Sequence, residues 1–307
     1  MNASTPSSAS AAAHARIGVT YGLAAYVWWG LVMVVYFKWV RQIPPLELLA
    51  HRVVWAAVLL IGLMALRGHW ATALAAIRSP RVFLTLIATM VLLACNWFTF
   101  LWAVIHENIV QASLGYFINP LVNVLLGCLF LGERLRRAQW LSVACAGFGV
   151  SVIAIEFGGT PVIALILAVT FGMYTLLRKT APVDALVGLS LETLMLLPIA
   201  TGYLIWLVSR GHMVFAHVSL GTDLLLLCAG MVTALPLLWF THAARRLTLS
   251  TVGLMQYIAP SLQLLLGVVV YAEPFTRGHS VGFAFIWGGL ALYSWDSVRT
   301  TRQAKPS

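Results

Sequence analysis

The sequence predicts an all-α integral membrane protein of ten transmembrane helices, arranged as two five-helix repeats of opposite orientation. Three observations carry that expectation. The 307 residues are 61% hydrophobic and only 9% charged, with a mean hydropathy of +0.92, outside the balance of a soluble domain. Ten apolar runs come close to the roughly 20 residues that cross a hydrocarbon layer of about 30 Å. The chain also matches itself at an offset of 140 positions.

The runs lie near 17–37, 47–66, 82–104, 111–131, 138–156, 161–177, 186–208, 222–242, 250–272 and 279–297. The second carries His51 and Arg52, and the sixth is short. Residues 1–16 read as a disordered cytoplasmic tail, 17–157 as the first repeat, 158–297 as the second, and 298–307 as a short cytoplasmic tail. No small-residue cleavage site precedes YFKWVRQ, so the first run is expected to stay as the first helix.

The net charge of +10 is explained by where the charges sit. With the N-terminus in the cytoplasm, fourteen Lys and Arg fall on inner segments and four (Lys38, Arg41, Arg210 and Arg277) on outer ones. The inner set includes Arg178 and Lys179; Arg52 is inside a span. This positive-inside bias places both termini in the cytoplasm. No basic stripe or nucleic-acid motif accompanies the charge, so no nucleic-acid partner is expected. Cys95, Cys128, Cys145 and Cys228 sit within apolar runs and never at CxxC spacing, so neither a disulfide nor a metal site follows.

The internal match pairs GYFINPLVNVLLG with QYIAPSLQLLLG. Pro120 falls on Pro260, Ile118 on Ile258, Gly127 on Gly267 and Glu133 on Glu273. Because five is odd, the second half enters the membrane from the side opposite to the first. Inverted repeats of this kind give two nearly equivalent conformations, with a site at their interface near the midplane. The alternative is that duplication supplied only a stable bundle.

Polar residues in the matched helices decide between these readings. Tyr116, Asn119 and Asn123 are three and four apart, on one helix face, and Ser113 extends the stripe. In the mirrored helix Gln256 stands at the position of Tyr116 and Gln263 at that of Asn123. An unpartnered amide in hydrocarbon costs several kcal/mol, so these groups must meet another helix, water or a solute. Interhelical hydrogen bonding is the plain alternative for each amide taken singly. As a mirrored set they are expected to line a cavity. Pro120 and Pro260 each remove a backbone donor in mid-helix and are candidate kinks around it.

Most membrane tryptophans belong to interfacial belts, but Trp97 and Tyr257 adjoin the polar Asn96 and Gln256 and are the better candidates for touching a solute. Glu47 and His51 are four apart on one face, with Arg52 next to His51, and Glu192 lies two turns into the seventh span. Ionisable groups inside a span are functional candidates by default. Arg52 lies only about 8–10 Å from the outer end of its helix and has the option of snorkelling out. Otherwise His51 and Arg52 are candidates to bind an anionic group of a solute or to lock an outer gate. Glu192, roughly 10 Å from the inner surface by the same arithmetic, is a candidate to exchange a proton during a transport cycle. A close Arg52–Glu192 ion pair is not expected, since the two enter from opposite faces.

Walker A, dinucleotide, HExxH and GxSxG motifs are absent, so no cofactor is expected and gradients rather than ATP would drive any movement. The RGH triplets at 67, 210 and 277 read as loop sequence.

The runs ELLAHRVVW, NWFTFLWAV, SLGYFINPLVNVLLG with GERL, APVDALVGLSLETLMLLP, VTALPLLWF and LMQYIAPSLQLLLGVVVYAEPF resemble the RarD branch of the EamA family, in the drug/metabolite transporter superfamily. The likeness covers about 17–297. It implies ten helices in two EamA repeats, an inner-membrane location and a permease activity, with relatives that export amino acids, drugs or metabolites. The residues matching its blocks are His51, Arg52, Asn96, Trp97, Tyr116, Asn119, Pro120, Asn123, Glu192, Gln256, Tyr257 and Pro260. The YAEPF form at Tyr271-Ala272 departs from the small-residue GEPF pattern.

The expected partners are the lipid bilayer, a small-molecule solute and, as a coupling ion, the proton, for a monomer or homodimer. Two other classes compete: a membrane-embedded lipid enzyme, for which Glu192, His51 and Asp223 are poorly grouped, and a receptor or regulator without flux.

Overall fold

The computed structural model describes residues 8–106, 108–157, 161–270 and 277–303. Its first span runs through α1 (Ser8–Val27), a π-helical segment (Trp28–Val32) and α2 (Met33–Trp39). Then come α3 (Pro45–Arg67), α4 (Trp70–Arg78), α5 (Pro80–Ile105), α6 (Ile109–Leu131) and α7 (Arg137–Phe157). The second half comprises α8 (Val162–Thr180), α9 (Ala185–Arg210), α10 (Leu220–Ala244), α11 (Leu249–Met255), α12 (Ile258–Val269) and α13 (Arg277–Gln303).

Helix boundaries follow local chemistry. Pro45 and Pro80 open α3 and α5 at the first turn, where a missing N–H costs nothing. Asp184, Ser219 and Thr248 cap α9, α10 and α11, each accepting a bond from a backbone N–H of the first turn. Gly68, Gly132 and Gly211 close α3, α6 and α9 in the left-handed region.

Nine segments among the described residues are long and apolar enough to cross a membrane, α11 and α12 counting as one. The tenth crossing is α13, 27 residues long, whose Trp287, Tyr293, Trp295 and Asp296 dilute its apolar character. The fold is therefore the all-helical, ten-span architecture of two repeats, and both α1 and α13 meet the same end of the bundle, here called the terminal end.

Several details differ from the sequence reading. Helix α1 starts at Ser8, inside the stretch read as a disordered tail, because SASAAAHA is rich in the best helix former. A short helix, α4, bridges the second and third spans with Ala73 and Ala76 buried and Trp70, Leu74 and Ile77 exposed. The first two RGH triplets are helix ends built on Gly68 and Gly211, whereas the third opens α13. The ninth span is broken at Gln256–Tyr257, while α6 runs unbroken through Pro120. Glu273 and the Tyr271-Ala272 departure lie outside the described residues.

The two halves interleave. Helix α1 packs on α10 as α8 packs on α5, while α3 faces α9, α6 faces α11 and α7 faces α13. Small residues set the closest crossings. A Cβ on Gly230 of α10 would stand 2.2 Å from the Trp55 carbonyl carbon of α3.

Candidate solute-binding cavity

A cavity of about 550 Å³ lies between the halves, within the roughly 300–1,000 Å³ typical of small-molecule sites. It is lined by the first span from Trp29 to Val40, by α3, α5, α6, α8 and α10, and by the break between α11 and α12. Arg41 in the α2–α3 turn, Pro45 at the start of α3, Val104 near the end of α5 and Ser113 near the start of α6 carry the lining to the end opposite the termini. Toward the terminal end the space is stopped by an aromatic plug. Trp29, Phe171 and Phe240 meet in edge-on and tilted contacts with centroids 5.3–6.2 Å apart, backed by buried Tyr26, Leu93 and Tyr174.

Two backbone irregularities frame this space. In the π-helical segment the Met33 N–H reaches Trp28 O, one residue further back than in an α-helix. The Trp29 carbonyl accepts from Gln263 Nε2 at 3.2 Å. Opposite it, Pro260 brings no N–H, and the Gln256 carbonyl accepts instead from Ala259 N at 3.2 Å. The bulge of the first span and the break of the ninth thus meet side by side, with Gly30 seated against Ala259 and Leu262.

Of the residues picked from sequence, Arg52, Asn96, Trp97, Tyr116, Asn119, Gln256, Gln263 and Pro260 line the cavity together. Most of their amide donors serve interhelical bonds. Asn96 Nδ2 donates to Leu167 O and Thr170 Oγ1, both at 3.0 Å, and Asn119 Nδ2 to Ala168 O at 2.6 Å. Asn123 sits behind the lining, fully buried, donating to Asn119 Oδ1 (3.1 Å) and Gln256 Oε1 (3.2 Å). Pro120 is buried within α6, also off the lining. Tyr257 points away and donates to Phe117 O at 3.1 Å. The amides therefore join helices, and the joined surfaces form part of the cavity wall.

The span charges separate into three sites. His51 turns from the cavity and accepts from Trp55 Nε1 at 3.1 Å, its Nε2 3.9 Å from Glu47. Buried Glu47 accepts from the Val214 and Phe215 amides, fastening the α9–α10 turn to α3. Arg52 stays inside rather than snorkelling: Nε donates to Thr233 Oγ1 at 2.9 Å, and the guanidinium lies 5.2 Å from the Trp97 ring and 5.6 Å from Phe37. Glu192 is fully buried away from the cavity, beside Arg178 at 3.5 Å, and accepts from Thr89 at 2.6 Å and Tyr174 at 3.5 Å.

Arg178 corrects the count of inner surface charges, since it is wholly buried. A Cβ on Gly188 would fall 2.0 Å from its Nη1, so a glycine there makes room for the guanidinium. Lys179 is likewise engaged, donating to the Ala244 and Leu247 carbonyls at the end of α10. Glu133, at the end of α6, grips the start of α11 through the Leu249 and Ser250 amides and the Ser250 hydroxyl. Sequence reasoning passed over Thr233, Phe37 and Arg178. The only sign of them was an Arg-Lys pair ending a short span and a threonine in an apolar run.

Ten membrane-crossing helices, in two repeats that share one solute-sized cavity, define a membrane transporter of the drug/metabolite type. The chain belongs to the EamA-like transporter family, whose profile matches residues 16–155. It is 47% identical to an uncharacterized transporter of Vibrio cholerae over 291 residues, 95% of this chain and 96% of that one. Protein RarD of Escherichia coli is 44% identical over 288 residues, 94% of this chain and 97% of its own. A solved crystal structure shares the fold with a TM-score of 0.71 at 21% identity, covering 90% of this chain and 96% of that one. The molecule is thus a multi-pass inner-membrane protein.

Proposed function

We propose that the protein is a secondary carrier that moves a small organic solute by alternating access. The observation that carries this reading is the one-sided cavity: it reaches one end of the bundle and is stopped at the other by the Trp29–Phe171–Phe240 plug. With the basic terminal end in the cytoplasm, this is an outward-facing state. The inverted partner conformation would open the plug and close the opposite end. A lipid-modifying enzyme is poorly served, since Glu192 is paired with Arg178 and Thr89 apart from His51, and Asp223 accepts from the Ala216 amide. The test is a metabolite comparison of cells with and without the protein, then flux of the accumulating compounds in proteoliposomes. Flux supports the carrier; specific binding without flux favours a receptor.

Glu192 is a candidate coupling group by depth, but its bonds to Arg178, Thr89 and Tyr174 favour a structural pair at the closed end. Glu192→Gln is then expected to leave the pH dependence of flux unchanged. Loss of that dependence would reinstate Glu192 as the proton carrier.

A further inference from the structure

We infer that the cavity selects an organic anion, a carboxylate or phosphate ester on an apolar, ring-bearing body, with Arg52 as the group that binds the charge. The inference rests on the cavity being the transport site and names the class of solute it takes.

The charged side chains of the described lining are Arg41, at the mouth, and Arg52, inside. No Asp, Glu, Lys or His is among that lining, and among the described residues no carboxylate lies within ion-pair distance of Arg52. A cation held inside a membrane span without a counter-charge is unfavourable unless something compensates for its lost hydration. Rings at 5.2 and 5.6 Å offset part of that cost through their electron-rich faces. Thr233 takes the Nε donor and fixes the plane of the guanidinium. That leaves the paired Nη donors as the fork that matches a carboxylate or phosphate. An incoming anion would supply the missing charge, whereas an ammonium would meet repulsion with no carboxylate to receive it. Apart from Ser113, Thr233 and the amides of Asn96, Asn119, Gln256 and Gln263, the remainder of the wall is apolar or aromatic, with Trp29, Phe100, Tyr116 and Phe171 around the space where a body of one or two rings would lie.

The experiment measures calorimetric binding of four matched probes to the full-length purified protein. They are 2-naphthoate, 2-naphthyl phosphate, the neutral 2-naphthalenemethanol and the cationic 2-naphthylmethylammonium. The two anions are expected to bind about tenfold or more tighter than the alcohol or the ammonium. Arg52→Gln is expected to abolish that preference, and Arg52→Lys to retain part of it as a point charge without the fork. Thermal unfolding of each variant establishes that it is folded. Trp97→Leu serves as a second variant that keeps the charge, and it weakens all ring-bearing probes alike. Equal affinity for the alcohol or ammonium, unchanged anion affinity in Arg52→Gln, or no anion binding at about millimolar concentration each overturns the inference.

Proteoliposome flux separates the two claims. Arg52-dependent anion binding without flux of any probe sinks the carrier reading and leaves the anion site standing. Flux of any probe above that of protein-free liposomes, with Arg52 dispensable, sinks the anion site and leaves the carrier.

Discussion

The offset of 140 positions that pairs Pro120 with Pro260 also pairs Arg52 with Glu192, so the two halves carry opposite charges at equivalent depths of their second helices. Their surroundings are unlike. Glu192 is sealed toward the terminal end with Arg178, Thr89 and Tyr174 around it, while Arg52 stands at the cavity wall with a threonine and two rings. One charge is neutralised by the fold, and the other has no counter-charge among the described residues. Inverted repeats thus supply matching positions, and local chemistry makes one a structural brace and leaves the other facing the cavity.

Removing each arginine in turn is expected to have the largest and most unequal effects. Arg178→Leu strands Glu192 as an uncompensated buried charge and is expected to cost about 3–5 kcal/mol; adding Glu192→Leu should recover much of that. Arg52→Leu removes an unpaired cation and should leave stability unchanged or raised. Reversible unfolding in detergent micelles measures both, and equal losses would show that the two charges are held alike.

Substitutions around these charges have smaller expected effects. Gly188→Ala thrusts a methyl into the space of the Arg178 guanidinium and should lower stability by about 1–3 kcal/mol, read from the same unfolding curves. Glu133→Gln weakens the charged grip on the start of α11. A loss of about 1.5 kcal/mol is expected, with faster hydrogen exchange at the Leu249 and Ser250 amides. Least of all, Asn123→Leu deletes two buried amide bonds behind the wall, for a cost near 1 kcal/mol or below and with no change in probe affinity.

Much of this was legible in the sequence. The long apolar runs fix the crossings, and the Pro120–Pro260 register fixes the inverted halves, because span length and repeat parity leave little freedom. The spacing of Tyr116 and Asn119 on one helix face, opposite Gln256 and Gln263, located the wall. The partition of the amides between wall and helix contact was not legible, since Asn119 and Asn123 share one stripe and differ only in which neighbour reaches them. Nor was the fate of the charges. Arg178 reads as a surface residue from its place at a span end, and only the packing of α8 on α9, with Gly188 opposite, draws it inside. The broken ninth helix and the π-helical segment depend on each other across the bundle, which a single-chain pattern does not reveal.

Opening of the plug is what separates a carrier from a fixed pocket. Tyr116→Cys places a thiol on the cavity wall, in a background with Cys95, Cys128, Cys145 and Cys228 replaced by alanine. A membrane-impermeant anionic thiol reagent is then applied to vesicles of each orientation. Modification from both faces, with the terminal-face reaction suppressed by a cross-link between Glu133→Cys and Ser250→Cys, is the predicted result. Full reaction from the opposite face with none from the terminal face would show a fixed pocket and contradict a carrier.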